Sequence, residues 1–182
     1  RWEDEFYNIA TVAPDLYDRT IVLNGVSKAY AMTGWRIGYA AGPAKLIGAM
    51  KKIQSQSTSN PTSISQVAAE AAIDTPDDYF VKVKSEYVKR RDFVVQSLNE
   101  MDGVFCPKPS GAFYCIARLP IDNADKFCQW LLEDFAYQNE TVMLAPATGF
   151  YSRPDLGTDE VRIAYVLNLN DLGKAMKCLA EA

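Results

Sequence analysis

Histidine is absent from the 182 residues, and that gap removes much of the usual repertoire of enzyme chemistry. No Ser-His-Asp or Cys-His nucleophile can be assembled, and no metal can be held by imidazole. Any proton transfer falls to lysine, carboxylate, tyrosine or cysteine. Cysteine is sparse too. Cys106, Cys115, Cys128 and Cys178 are widely spaced, include no Cys-x-x-Cys pair and sit among apolar neighbours, which suits reduced thiols packed as small hydrophobes and argues against a zinc site. Long apolar runs are missing: none approaches the roughly 18 to 20 residues a membrane helix needs, and no cationic flank precedes an apolar signal core. Positive charge is short as well. The 19 basic and 23 acidic residues give a formal net charge of -4, without a basic run or a basic stripe interleaved with aromatics, so nucleic acid is not the expected partner. These absences together point to a cytoplasmic protein with no membrane and no nucleic-acid role.

What is present is ample for a packed core: 48% of the residues are hydrophobic and 12% aromatic, enough for one domain or two small ones. The opening Arg1-Trp2-Glu3-Asp4-Glu5-Phe6 lacks methionine and reads like the middle of an ordinary segment, so the expectation is a fragment of a longer polypeptide. Residues 20–24 form a short β-branched run ended by Asn24-Gly25, a strand delivering a loop. Residues 36–41 read as a second strand, and Gly42-Pro43 opens a helix over about 44–55. This alternation suggests a doubly wound sheet. After a polar, proline-broken stretch at 57–63 come helical spacings over 64–73 and over about 77–101, the second long enough to join two domains. The pattern then restarts with strands over 111–117, 141–145 and 161–167 and helices over 124–136 and 170–182. No internal repeat or low-complexity segment is found.

The residues with most chemical content lie in Asn24-Gly25-Val26-Ser27-Lys28-Ala29-Tyr30-Ala31-Met32-Thr33-Gly34-Trp35-Arg36-Ile37-Gly38-Tyr39. A lysine is a nucleophile at neutral pH only where burial or neighbouring positive charge disfavours its ammonium form. Most lysines of this chain, Lys51, Lys52, Lys82, Lys84 and Lys89 among them, stand in pairs or on helix faces and read as solvating groups. Lys28 stands in a glycine-bounded frame, with an arginine eight residues on whose planar fork suits a phosphate dianion. For Arg36 the alternative is a surface arginine on a strand edge, and for Ser27 it is simply the small residue a turn needs. In Glu160-Val161-Arg162-Ile163-Ala164-Tyr165-Val166 an arginine alternates with inward-facing aliphatics, a place that calls for an anion; an ion pair with Asp159 or Glu160 is the other reading.

The run around Lys28 resembles the lysine signature of the class I and II aminotransferases, aspartate aminotransferase-like enzymes of fold-type I: Gly25 and Ser27 before the lysine, and the Gly34-x-Arg36-x-Gly38 close after it. Pro109-Ser110-Gly111-Ala112-Phe113-Tyr114 and the strand of Arg162 resemble later motifs of the same family. Ala145-Pro146-Ala147-Thr148-Gly149-Phe150 resembles the segment before the late arginine, departing at Ala147 where many relatives have glycine. The resemblance covers essentially the whole chain but only the C-terminal half of the family's length.

The resemblance implies an α/β architecture: the later part of a three-layer fold-type I large domain over 1–85, then a small α+β C-terminal domain over 86–182, joined by the helix at about 77–101. It implies pyridoxal 5'-phosphate as cofactor, with Lys28 bonding the cofactor's aldehyde carbon and moving the substrate proton, Arg36 and Ser27 on the phosphate, Arg162 on the substrate α-carboxylate, and Phe113 bordering the substrate or packing in the core. It implies a transaminase that moves nitrogen from an amino acid, aspartate foremost, to a 2-oxo acid such as 2-oxoglutarate, acting as a homodimer; the polar stretch at 57–60 resembles one that reaches the neighbouring subunit's active site in family dimers, a solvated linker being the other reading. An aromatic or prephenate aminotransferase, a pyridoxal phosphate-dependent lyase, or a non-catalytic dimerising or folding module are the other readings. The family's acidic partner for the pyridine nitrogen, its ring-stacking aromatic and its glycine-rich phosphate loop fall upstream of these residues, so the chain alone is expected to be inactive.

Overall fold

The computed structural model describes every residue except Glu3 and Asp4, so that part of the opening segment lies outside the described residues. The chain divides into two compact units, Glu5–Tyr79 and Phe80–Ala182, the latter joined by Arg1 and Trp2.

The first unit starts with a single helical turn, α1 (Ile9–Val12), capped by the Asn8 side chain, and a 3-10 stretch over Pro14–Arg19. Two strands follow, β1 (Val22–Gly25) and β2 (Gly38–Ala41), then helices α2 (Ala44–Ser57) and α3 (Ser63–Ile73). The strands pair antiparallel, Val22 opposite Ala41 and Gly25 opposite Gly38. That differs from the doubly wound expectation, in which successive strands would run parallel. The connection over residues 26–37 folds back on itself without a crossover helix, and a chain that returns directly can only pair antiparallel. Strand β2 begins two residues later than expected. Thr33–Trp35 makes a 3-10 turn and Arg36 takes left-handed φ and ψ of 51° and 49°, which breaks extended structure before Gly38. A small core of Val26, Met32 and Ala69 pins this loop to α3, with Tyr30, Ile37, Ala68 and Ala72 around it.

The second unit takes up most of α4 (Asp77–Asn99), a three-stranded antiparallel sheet in the order β3 (Tyr114–Arg118), β5 (Glu160–Ala164), β4 (Ala145–Pro146), and helices α5 (Ala124–Glu133) and α6 (Leu169–Ala180). Residues alternate strictly on β3 and β5. Cys115, Ala117, Val161 and Ile163 are buried and share a core with Val94 and Leu98 of α4, Cys128 of α5, and Leu172, Met176 and Leu179 of α6. The other face carries Tyr114, Ile116, Arg118, Glu160 and Arg162, with Ile116 opposite Arg162 and Arg118 opposite Glu160. Strand β4 is shorter than expected. It sits at the sheet edge, Pro146 has no N–H to extend the ladder, and residues 141–144 run outside it.

Candidate active site

Two groups of candidate residues emerge, one in each unit. In the first, the loop between β1 and β2 presents Ser27, Lys28 and Arg36. Its ends close tightly: a Cβ on Gly25 would stand 3.3 Å from the Ile37 carbonyl oxygen, and one on Gly38 would stand 3.2 Å from that of Asn24. A side chain at either position would press on the backbone of the facing strand, which gives both glycines a steric reason. Inside the loop Tyr30 N–H donates to the Val26 carbonyl (3.3 Å), Ala31 to Lys28 (3.3 Å) and Met32 to Ser27 (3.1 Å), so residues 26–32 form a compact turn. Ser65 of α3 anchors the following turn, its hydroxyl donating to the Trp35 carbonyl at 2.8 Å.

Lys28 lies exposed at the tip of the first turn and Ser27 is half-buried beside it. The apolar walls that a desolvated lysine requires are not supplied by the described residues of this loop, whose buried side chains, Val26 and Met32, point into the α3 contact. Arg36 is exposed too, and its Nη1 donates to the Thr33 carbonyl at 3.0 Å, tying the guanidinium to its own turn while its other N–H groups remain for an acceptor. One primary amine, one hydroxyl and one guanidinium on a single loop are the donor set that an aldehyde bearing a phosphate ester would use: the amine for the carbonyl carbon, the other two for the dianion.

In the second unit Arg162 lies on the open face of the sheet, opposite Ile116 on β3 and Ala145 on β4. The alternation that makes Val161 and Ile163 core residues carries Arg162 to the other side, so it is half-buried and outside the core. Its Cζ lies 4.5 Å from the centroid of the Tyr114 ring and 4.9 Å from that of Phe150. Among the described residues no carboxylate pairs with it: Glu160 accepts a hydrogen bond from the Tyr151 hydroxyl, and neither Glu160 nor Asp159 forms an ion pair with Arg162. Phe113 belongs to an aromatic row, with ring centroids 6.2 Å from Tyr87 and 4.4 Å from Tyr114, while Trp2 stacks on Tyr87 at 5.7 Å. The two rings against Arg162 could not be read from sequence spacing, because Tyr114 and Phe150 come from segments 36 residues apart in the chain.

Elsewhere, no cluster of acidic or thiol ligands able to hold a metal occurs among the described residues. Nor is any described helix long and apolar enough to cross a membrane. All four cysteines are buried and unbridged.

Comparison with known proteins places the chain as a whole in one family. The family model for aminotransferase class I and II matches residues 2–179. An aspartate/prephenate aminotransferase of Cereibacter sphaeroides is 58% identical over 142 residues, which is 71% of this chain and 36% of that protein. One from Nitrosomonas europaea is 41% identical over 191 aligned positions, covering 98% of this chain and 46% of its own length. The crystal structure of the aspartate aminotransferase from Rhizobium meliloti superposes with a TM-score of 0.82 at 40% identity, over 97% of this chain and 45% of that one. An aromatic aminotransferase from Pyrococcus horikoshii gives the same TM-score at 33% identity, over 98% and 46%. The chain thus spans under half the length of the relatives it matches, and its fold is the later part of theirs, a fold-type I α/β arrangement. With its lysine loop, its glycine-closed ladder and its arginine strand set out in that fold, the chain belongs to the class I and II aminotransferases.

Proposed function

We propose that these residues are the later part of a pyridoxal 5'-phosphate-dependent aminotransferase that moves an amino group between an amino acid, aspartate foremost, and a 2-oxo acid such as 2-oxoglutarate. The observation that carries this reading is the Ser27-Lys28…Arg36 loop, held at one end of the β1–β2 ladder by the Gly25–Gly38 pair and by the Val26–Met32–Ala69 contact. The printed names of the most similar relatives support aspartate and prephenate as substrates to test first.

The cofactor supplies an electron sink for the negative charge left when the substrate α-carbon loses a proton. The chain's own residues hold and move. Lys28 would hold the cofactor at its aldehyde end through its amine, and the same amine is the group placed to accept the substrate's α-proton and give it back. Arg36 and the Ser27 hydroxyl hold the phosphate end, Arg36 through the N–H groups not engaged with Thr33. Arg162 binds the substrate α-carboxylate through two parallel N–H donors, and the aromatic row with Phe113 backs the ring that touches it. Lys28 and Arg36 both stand exposed in this chain, so the water-excluding walls come from the remainder of the enzyme. The whole enzyme is a cytoplasmic homodimer in this reading.

The test is to add pyridoxal phosphate to the chain, reduce with borohydride and map the labelled peptides, beside Lys28→Ala and Arg36→Ala. The expected result is preferential labelling of the Lys28 peptide, lost in Lys28→Ala. Arg36→Ala should weaken labelling by pyridoxal phosphate while labelling by phosphate-free pyridoxal stays the same. Equal labelling of Lys28, Lys51 and Lys52 would remove the case for a built lysine site.

A further inference from the structure

Arg162 has two unusual properties together: as a half-buried residue it has no carboxylate partner among the described residues, and two aromatic rings lie within 5 Å of its Cζ. A guanidinium has two weakly hydrated faces and a donor-bearing edge. Rings set against its faces are attracted to the cation through their quadrupoles and leave the edge open to an acceptor. A ring cannot take the place of an anion, but it can fix where the edge points.

Both rings are themselves held. Tyr114 sits on β3 opposite Ala164, two residues along β5 from Arg162, the diagonal position from which a long side chain reaches across a ladder. Its other neighbour is Phe113, at 4.4 Å between centroids. Phe150 closes the 3-10 turn Thr148–Phe150 that follows β4. Although 52% exposed, Phe150 is set by its backbone: its N–H donates to the carbonyl of fully buried Ala147 at 2.9 Å, and Ala147 N–H donates to the Glu160 carbonyl at 2.9 Å. The Thr148 hydroxyl donates to Asp125 at 2.9 Å on one side, and the Tyr151 hydroxyl donates to Glu160 on the other. The turn is therefore fastened to α5 and to β5, the strand that carries Arg162.

We propose that Tyr114 and Phe150 are positioning residues that hold the Arg162 guanidinium by its faces, so that its donor edge stands ready for the carboxylate of an amino-acid or 2-oxo-acid substrate. This rests on the reading of Arg162 as the carboxylate anchor. A free arginine side chain must lose the rotamer freedom of four torsions when it makes a bidentate pair, and that loss weakens binding. The rings restrict those torsions before the acid arrives. Their removal should therefore weaken carboxylate binding without removing the charge.

The experiment uses the 182-residue chain labelled with nitrogen-15 and follows the Nε–Hε resonance of Arg162, assigned by its loss in Arg162→Lys. Succinate is the probe, with sodium chloride at matched ionic strength as control. The resonance is expected to shift with succinate and not with chloride. Phe150→Leu and Tyr114→Leu should each raise the apparent Kd by about three- to tenfold and give a more mobile Nε–Hε signal. Phe150→Tyr and Tyr114→Phe, which keep the rings, should behave as the unchanged chain. Phe150 decides the matter if Tyr114→Leu disturbs the sheet, since its half-exposed ring can be removed without opening the core. Unchanged affinity and mobility in Phe150→Leu would overturn the positioning role and leave Arg162 as the anchor. An Arg162 resonance that ignores succinate in the unchanged chain would overturn both.

Discussion

Tyr165 shows how one side chain ties the start of the chain to the sheet of the second unit. It is fully buried, its hydroxyl donates to the Ala112 carbonyl at 2.9 Å, and it accepts from the Trp2 indole N–H at 3.2 Å. Burial raises its phenol above the ordinary value of 10.0, partly offset by the Trp2 hydrogen bond and by the Arg91 charge; the thiols of Cys115 and Cys106 push upward. Tyr165→Phe keeps the ring and leaves the indole N–H and the carbonyl without partners, so it should cost about 1–3 kcal/mol in urea unfolding at neutral pH. The sign of the pH effect follows from the raised phenol. Its contribution is fully present below the unfolded value near 10 and is lost as pH rises toward the folded one, so the gap between the two proteins should narrow above pH 10. A gap that stays constant through that range would mean that the phenol does not titrate differently in the folded state. At this scale the sequence is readable where chemistry is local: Ser27 and Lys28 follow β1 in a loop, as the Asn24-Gly25 stop implies, whereas Arg36, read as the first residue of a strand, stands in the turn before it. It is not readable where backbone conformation or a distant ring decides. A non-glycine residue with positive φ, as at Arg36, carries no sequence mark, and the side of the sheet that Arg162 faces depends on a pairing register set by β3 and β4.

The helices were legible from their apolar period, and α2, α3, α4, α5 and α6 all lie where the pattern puts them within a few residues. Their ends depend on partners the period does not reveal. Asn99, the last residue of α4, uses its side-chain amide as a strand neighbour would use its backbone: Nδ2 donates to the Cys106 carbonyl at 2.9 Å and Oδ1 accepts from Cys106 N–H at 2.9 Å. Cys106 is the point at which the chain leaves its bridge to β3, Phe105 having paired with Arg118, and its backbone is buried without a ladder. Asn99 therefore ends the helix and continues the sheet at once. Asn99→Ala would strand both backbone groups of Cys106 and should cost about 1–3 kcal/mol. Asn99→Asp keeps the acceptor but turns a donor into an anion facing a carbonyl, so it should recover little of the loss. Equal stability of Asn99→Ala and the unchanged chain, by urea titration followed in far-ultraviolet circular dichroism, would show that water replaces the amide at no cost.

The two units differ most in what they bury. The second unit has a contiguous core running through α4, α5, α6 and the inner face of its sheet. The first has Val26, Met32 and Ala69 as its buried hydrophobic cluster, and α2, fourteen residues long, buries none of its own. The apolar face that suggested α2 in the sequence is present but uncovered: Leu46 and Met50 are exposed, Ile53 is 67% exposed, and Leu23 and Tyr39 stand with Met50 and Ile53 along an open groove. On α3, Ile64 and Val67 are exposed as well. Apolar side chains stabilise in proportion to the area they remove from water, and a helix that removes little is held mainly by its own hydrogen bonds, which are marginal at this length. The chain should therefore open in two stages. In native-state hydrogen exchange followed by mass spectrometry, amides of α2 and of β1 and β2 should exchange through local opening, well before those of β5, α5 and the buried turns of α6, whose exchange should require loss of the whole second core. Urea should shift the first group at lower concentration than the second. Lys28 sits on the unit with the smaller core, so capture of pyridoxal phosphate there, as proposed, should slow exchange in β1, β2 and the loop between them more than anywhere in the second unit, by linkage to the folded loop. Uniform protection across both units, or α2 as slow as β5, would mean that the exposed apolar face is not what limits the first unit's stability.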